Sequence, residues 1–298
     1  MLRILTSILW ITSIFSAVFA QDAAKLNFIA ADKSNNVIGD LKKEEITLLI
    51  DGKSQAITSL EKREAPLIYA LAVDCSGSMR LILDDMVSAG ETIVNQNRKD
   101  DEALVFSFVS TDKFKGMQTF SADENILLRT LSNFYIEGGQ TALIDALYVA
   151  VKKVSEHKKD EGEKYRRVVI AITDGEDRLS SNSEKALLEL IQKENVQIYF
   201  IGLTVQLDCA GYIGKCSKGK AEDFIEKIAK ASGGAAIFPK KIKDLPDAAT
   251  QLIPFLQSEY VISYTPLSDA KGKPPKIEIN LAKDSKRKDV KFYFRAGS

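Results

Sequence analysis

Histidine is nearly missing from this 298-residue chain: there is one, His157. A zinc site with several imidazoles is therefore excluded, and a Ser-His-Asp hydrolase would have to rest on that single side chain. Cysteine is almost as sparse. Three thiols, Cys75, Cys209 and Cys216, cannot build a disulfide scaffold, and a chain this long does not need one to support a core. There is no surplus of charge either, because 41 Lys and Arg face 41 Asp and Glu. Nucleic-acid binding draws on a basic excess to neutralise phosphates, so no nucleic-acid partner is expected. Beyond residue 20 no apolar run is long enough to cross a bilayer, and no Asn-x-Ser/Thr acceptor occurs. What remains, 45% hydrophobic and 28% charged residues, is the composition of a folded globular protein.

The first 20 residues are of a different kind. Arg3 precedes an apolar run that ends Ala17-Val18-Phe19-Ala20 before Gln21-Asp22. A charged start, an apolar stretch and small residues at −3 and −1 predict a secretory signal peptide at 1–20, cleaved after Ala20. The rival is an uncleaved membrane anchor, which polar Thr6, Ser7, Thr12, Ser13 and Ser16 dilute. No cysteine follows the cleavage point, which argues against a lipid anchor. The expectation is an exported protein, periplasmic or extracellular.

Two textures divide the rest. In 21–65 the pattern alternates: Leu26, Phe28 and Ala30 share one strand face, as do Ile46, Leu48 and Ile50. Asp51-Gly52 marks a hairpin turn into a strand over 55–60. The stretch 258–298 alternates too, over 260–264, 277–281 and 290–294. About three short strands at each end are marginal alone, so the two ends are expected to pair into one β-sandwich-like domain. Between them, 66–257 reads strand, helix, strand, helix. Apolar strands are predicted over 67–73, 103–109, 168–172, 196–203 and 235–238. Helical spacing appears from Leu83, over 141–154, 183–193, 221–231 and 245–256, with Gly233-Gly234 where a helix would stop. This is a doubly wound α/β domain with a mostly parallel sheet, whose ligands bind outside the carboxyl ends of the strands.

Oxygen-rich sequence gathers at those ends. The 67–73 strand runs into Asp74-Cys75-Ser76-Gly77-Ser78-Met79, the 168–172 strand into Thr173-Asp174-Gly175-Glu176-Asp177, and Gly138-Gly139-Gln140-Thr141 precedes a helix. Hydroxyls and carboxylates without imidazole or thiolate suit a hard divalent cation, Mg2+ or Mn2+. Alternation turns Asp74, Ser76 and Ser78 the same way as the chain leaves its strand. Each group has a plainer reading: Asp74, Ser76 and Ser78 could cap the helix near Arg80, Thr141 could cap its own, and Asp174-Gly175 could be a turn. All of them together, in this order and at these strand ends, favour a metal site.

The pattern Asp-x-Ser-x-Ser, a later Thr after glycines and an Asp-Gly after a buried strand resembles the metal-ion-dependent adhesion site of von Willebrand factor A domains. The resemblance covers about 66–257, and the flanking segments are similar to those of exported bacterial proteins. It implies that Ser76, Ser78 and Thr141 ligate a metal through their hydroxyls, with Asp74 and Asp174 acting directly or through waters. Neutral hydroxyls leave the cation under-neutralised, so it would attract an exposed Asp or Glu of a partner protein. The function implied is an exported, metal-dependent protein-binding module, not an enzyme and with no small-molecule cofactor. The alternatives are a metal-dependent hydrolase such as a phosphoesterase, or a scaffold stabilised by its metal.

The remaining features have smaller roles. Cys75 is expected to point away from the ion as a small core residue. Cys209 and Cys216 would form a disulfide in an oxidising compartment, stapling a loop over 206–219. With Tyr212, Lys215, Lys218 and Lys220, that loop could form a rim favouring an acidic ligand. Glu176 and Asp177 are expected on a solvated rim. His157 is expected exposed at a charged helix end, and the basic cluster 283–288 in a solvated hairpin loop.

Overall fold

The computed structural model describes residues 24–116, 119–207, 217–265 and 276–294. Its centre is a six-stranded sheet. Strand β5 (Leu67–Asp74) lies between β6 (Glu102–Phe108) and β8 (Arg166–Thr173), and β9 (Gln197–Gly202) and β10 (Ala236–Ile237) continue beyond β8. These five strands are parallel, while β7 (Phe114–Lys115) closes the β6 edge antiparallel. Every residue of β5 and β8 is buried, which is why both read as unbroken apolar runs rather than alternating ones. Tyr69, Leu71 and Val73 of β5 face a core shared with α1 (Leu83–Val94) and α6 (Leu245–Gln257). Ile68, Ala70 and Ala72 face α3 (Leu143–Glu156), α4 (Glu184–Glu194) and α5 (Lys218–Ser232).

The order of the sheet matters for function. From β5 the chain winds outward in one direction to β6, then returns across and winds the other way through β8, β9 and β10. The strand order therefore reverses between β5 and β8, and the loops leaving their carboxyl ends diverge to open a crevice there. Asp74 ends β5, and Asp174 follows β8 directly.

Both chain ends fold together, as expected. Strand β1 (Ala24–Ala31) pairs antiparallel with β11 (Glu259–Tyr264) and β13 (Lys291–Phe294), and β11 with β4 (Ile57–Arg63). A second sheet holds β12 (Ile277–Leu281), β2 (Ile46–Ile50) and β3 (Lys53–Gln55). Leu26, Phe28, Leu48, Tyr260, Ile262 and Ile279 fill the space between the sheets. Ile29 and Ala31, on the opposite face of β1, join the core of the α/β domain. That domain is an insertion whose entry and exit are adjacent, since Arg63 at the end of β4 is paired with Glu259 at the start of β11. Beneath the junction, buried Arg166 bonds Gln197 Oε1 (2.6 Å), Tyr199 Oη (2.6 Å) and the Leu256 carbonyl (3.0 Å), 3.8 Å from Glu259.

Several expectations need correction. The turn at Asp51-Gly52 forms, both residues having positive φ, but the strand predicted over 55–60 is broken at Ala56. Residues before the break pair with β2 in one sheet, and those after it pair with β11 in the other. Helix α2 (Glu124–Ser132), capped by Asp123, lies in a stretch without a predicted element. The segment 283–288 is a crossing between the two sheets rather than a hairpin, and Arg287 is anchored to Glu45 (3.0 Å) and Asp40 (2.8 Å). His157 is half-buried, stacked on Phe120 with ring centroids 4.1 Å apart and bonded to Glu102 Oε2 at 2.7 Å. The predicted signal peptide and the Cys209–Cys216 pair lie outside the described residues.

Candidate metal centre

Three loops meet at the carboxyl edge between β5 and β8. Asp74 is fully buried. Its Oδ1 accepts the Ser76 N–H at 3.0 Å and its Oδ2 the Thr173 hydroxyl at 2.8 Å. The Ser76 and Ser78 hydroxyls lie 3.1 Å apart, and the Ser78 hydroxyl donates to Asp174 Oδ2 at 2.9 Å. The third loop is joined through backbone: Gly77 N–H donates to the Gly139 carbonyl at 3.4 Å, while the Thr141 carbonyl accepts from Arg178 (2.8 Å) and Leu179 (3.1 Å). Gly138 and Gly139, with φ of 74° and 110°, give this loop the left-handed turns that carry Thr141 to the group, a backbone that side chains resist. Thr141 is buried.

These side chains do not serve as helix caps. Helix α1 begins at Leu83 after Ile82, α3 begins after Ala142, and neither has a side-chain bond from its cap residue. The start of α3 is satisfied instead from the loop that follows β8. Asp177 accepts the Ile144 N–H at 3.1 Å, and the Ser180 hydroxyl accepts that of Asp145 at 3.0 Å. Asp177 is thus a cap rather than a solvated rim residue. We expect Asp177→Ala to lower stability by about 1 kcal/mol in denaturant titrations, the usual cost of losing a helix cap. Glu176 is the residue that pairs outward, with Arg178.

Two further residues brace the loops. Thr173 orients Asp74 and accepts the Gly175 N–H at 3.2 Å. Asp145, buried on the first turn of α3, accepts from Thr111 Oγ1 (2.6 Å), the Ser181 and Asn182 N–H groups (both 2.8 Å) and Asn182 Nδ2 (2.7 Å). The signal for Asp145 is present in the sequence, as one carboxylate within the apolar run Leu143-Ile144-Asp145-Ala146-Leu147.

The electrostatics are those of a site short of positive charge. Burial, together with the nearby Asp174 charge, pushes the Asp74 carboxyl up to about 7. Burial raises Asp174 too, against the Glu176 N–H and the Ser78 hydroxyl. The Arg178 charge offsets part of the rise at Asp174. Among the described residues no three His, Cys, Asp or Glu side chains gather to hold a metal alone, so a cation here depends on hydroxyls. The donor set fits Mg2+ or Mn2+. Bonds of about 2.1 Å put neighbouring ligand oxygens of an octahedral ion about 3.0 Å apart, comparable with the 3.1 and 2.9 Å separations along Ser76, Ser78 and Asp174. Cys75 points the other way, into the core beside α1, and burial raises its thiol to about 12.

A family model described as the von Willebrand factor type A domain matches residues 69–176, a span that includes all five of these residues. The chain carries a domain of this fold. It is similar to a solved von Willebrand factor type A protein from Catenulispora acidiphila (12% identity, TM-score 0.50, covering 87% of this chain and 74% of that one). It is also similar to an aerotolerance-related membrane protein from Bacteroides fragilis (17%, TM-score 0.46, 63% and 99%). A third similar structure is the conserved hypothetical protein BatB from Bacteroides thetaiotaomicron (16%, TM-score 0.47, 64% and 98%). No curated protein matches the chain. Among the described residues no helix is long and apolar enough to cross a membrane.

Proposed function

We propose that this protein is an exported interaction module that binds Mg2+ or Mn2+ at Asp74, Ser76, Ser78, Thr141 and Asp174 and uses it to hold an exposed Asp or Glu of a partner protein. The observation that carries the reading is the joined set of two buried carboxyl groups and two serine hydroxyls at the crevice where the strand order reverses. A divalent ion bound there offers a Lewis-acid position to an incoming carboxylate. The chain's own part is to present oxygens of low total charge, so that the ion keeps its appetite for an anion. Asp74 is held by Ser76 and Thr173, and the Thr141 loop is tied to both others, so the donors are placed before any ligand arrives. A von Willebrand factor type A domain is generally an interaction module, which supports binding over catalysis. The position of His157 supports it as well. The chain's only imidazole pairs with Glu102 at the start of β6, at the opposite edge of the sheet from the oxygens, where it cannot act as their general base. Export rests on the 1–20 segment.

The test is a pull-down from the native envelope with the wild-type chain and Thr141→Ala, each with Mg2+ or chelator. The threonine variant should keep its far-ultraviolet circular dichroism and lose at least about tenfold in affinity for the captured partner, about 1.4 kcal/mol. Capture that persists in chelator or in the variant would overturn the proposal. A metal that raises the melting temperature while Asp74→Ala leaves capture intact would be a structural metal only.

A further inference from the structure

The large apolar side chains left exposed are not scattered. Among the described residues there are four: Leu81 (91% exposed), Tyr135 (54%), Leu179 (50%) and Ile126 (50%). Three of them sit one apiece on the loops that deliver the site's oxygens. Leu81 is three positions after Ser78, Tyr135 six before Thr141, and Leu179 five after Asp174. Their exposure is not the slack of a loose segment. The backbone around Leu81 is closed by bonds from Met79 to Ser76 (3.2 Å) and from Ile82 to Met79 (3.1 Å). Leu179 donates its N–H to the Thr141 carbonyl, and its own carbonyl accepts from Thr111 at 3.3 Å. Tyr135 differs, because Lys115 lies 3.6 Å over its ring and covers it. Leu81 and Leu179 are therefore exposed apolar side chains held by backbone bonds on the loops that carry the candidate site's oxygens, an arrangement soluble surfaces keep for contacts.

We propose that the partner's acidic residue is flanked by aliphatic side chains, which bury against Leu81 on one loop and Leu179 on another while the carboxylate enters between them. This rests on the metal-site reading above and adds what that site selects. Exposed Arg80 stands beside Leu81, and Arg178, exposed but paired with Glu176, stands beside Leu179, so the positive charge that meets the partner's acid comes chiefly from Arg80. A second copy of this chain fits less well. A two-fold contact made by the same rim on both copies would set arginines against arginines and face one acid-seeking site with another.

The experiment uses the full chain and three blocked peptides immobilised on a sensor: one with a central Leu-Asp-Leu, one with Ser-Asp-Ser, and one with Leu-Asn-Leu. In Mg2+ the Leu-Asp-Leu peptide should bind about tenfold tighter than Ser-Asp-Ser, and Leu-Asn-Leu should not bind. The double substitution Leu81→Ser with Leu179→Ser should erase the preference between the two Asp peptides. Its affinity for Mg2+, read by calorimetry without peptide, should stay unchanged. Equal binding of both Asp peptides, or a preference that survives the double substitution, overturns the rim inference and leaves the metal reading standing. Binding of neither Asp peptide, or binding indifferent to chelator, overturns both. A dimer of the wild-type chain that the double substitution abolishes would name a second copy as the occupant and also overturn the inference.

Discussion

Without metal, the protein is expected to lose about 4 kcal/mol of stability relative to its Asp74→Asn variant between pH 4 and pH 7, and to lose nothing further above that. The sign follows from the shift. Asp74 titrates near 3.8 in the unfolded chain and near 7 in the folded one, because burial and the neighbouring Asp174 disfavour its charge. Between those values the unfolded state has released the proton and the native state keeps it. Stability is therefore full below the lower value, declines as pH rises and levels off above the higher. Three units at 1.36 kcal/mol each give the magnitude. The uncharged amide of the variant can still accept the Ser76 N–H and escapes the penalty. Carboxylates such as Glu102 and Asp145, which hydrogen bonds hold low, lose stability in the opposite direction on acidification, but both proteins share them and the difference cancels. Guanidinium titrations from pH 4.5 to 8 measure the gap. Saturating Mg2+ at pH 7.5 should stabilise the wild type and leave the variant unmoved, since binding the native state alone raises its stability by mass action. A wild type no weaker than Asp74→Asn at pH 7.5 would show that the two carboxylates do not strain the metal-free fold.

The parts of this molecule that were legible in the sequence are those whose cause is local. Strands β5 and β8 read correctly because burial on both faces writes an unbroken apolar run, and Asp74 and Asp174 could be placed beside each other because each directly ends such a run. The chain ends could be matched because Phe28, Leu48 and Tyr260 sit on alternating apolar faces that need covering. What was not legible depends on partners far along the chain. His157 reads as a solvated residue in a run of charges until Phe120 and Glu102, 37 and 55 positions upstream, close over it. The break at Ala56 leaves the local pattern apolar enough to look continuous, and only the second sheet reveals that the strand changes partners. Asp177 looked like rim because nothing in its neighbourhood shows that Ile144 brings it an unsatisfied N–H.

Replacing Arg166 is expected to produce a large loss of stability at a position away from the candidate metal centre. Arg166 opens β8 and, although charged, is 1% exposed. It supplies donors to Gln197, Tyr199 and the Leu256 carbonyl and stands 3.8 Å from buried Glu259. Arg166→Met keeps most of the apolar stem but strips three acceptors of their donor and takes positive charge from beside a buried carboxylate. Removing one partner of such a group costs about 3–5 kcal/mol. Arg63 also lies near Glu259, at 3.7 Å, but it is partly exposed, and Arg63→Ala should cost under about 1 kcal/mol. The pair of variants separates charge from packing. If the cost is the positive charge lost from beside Glu259, adding Glu259→Leu to Arg166→Met should restore part of the loss, because replacing a whole buried pair by apolar side chains is often close to neutral. If the double variant is as unstable as the single one, the lost donors to Gln197, Tyr199 and Leu256 carry the cost. In both cases the Mg2+ binding proposed above should persist in the folded fraction, since this network lies at the edge of the sheet where the strands begin and the oxygens lie where they end.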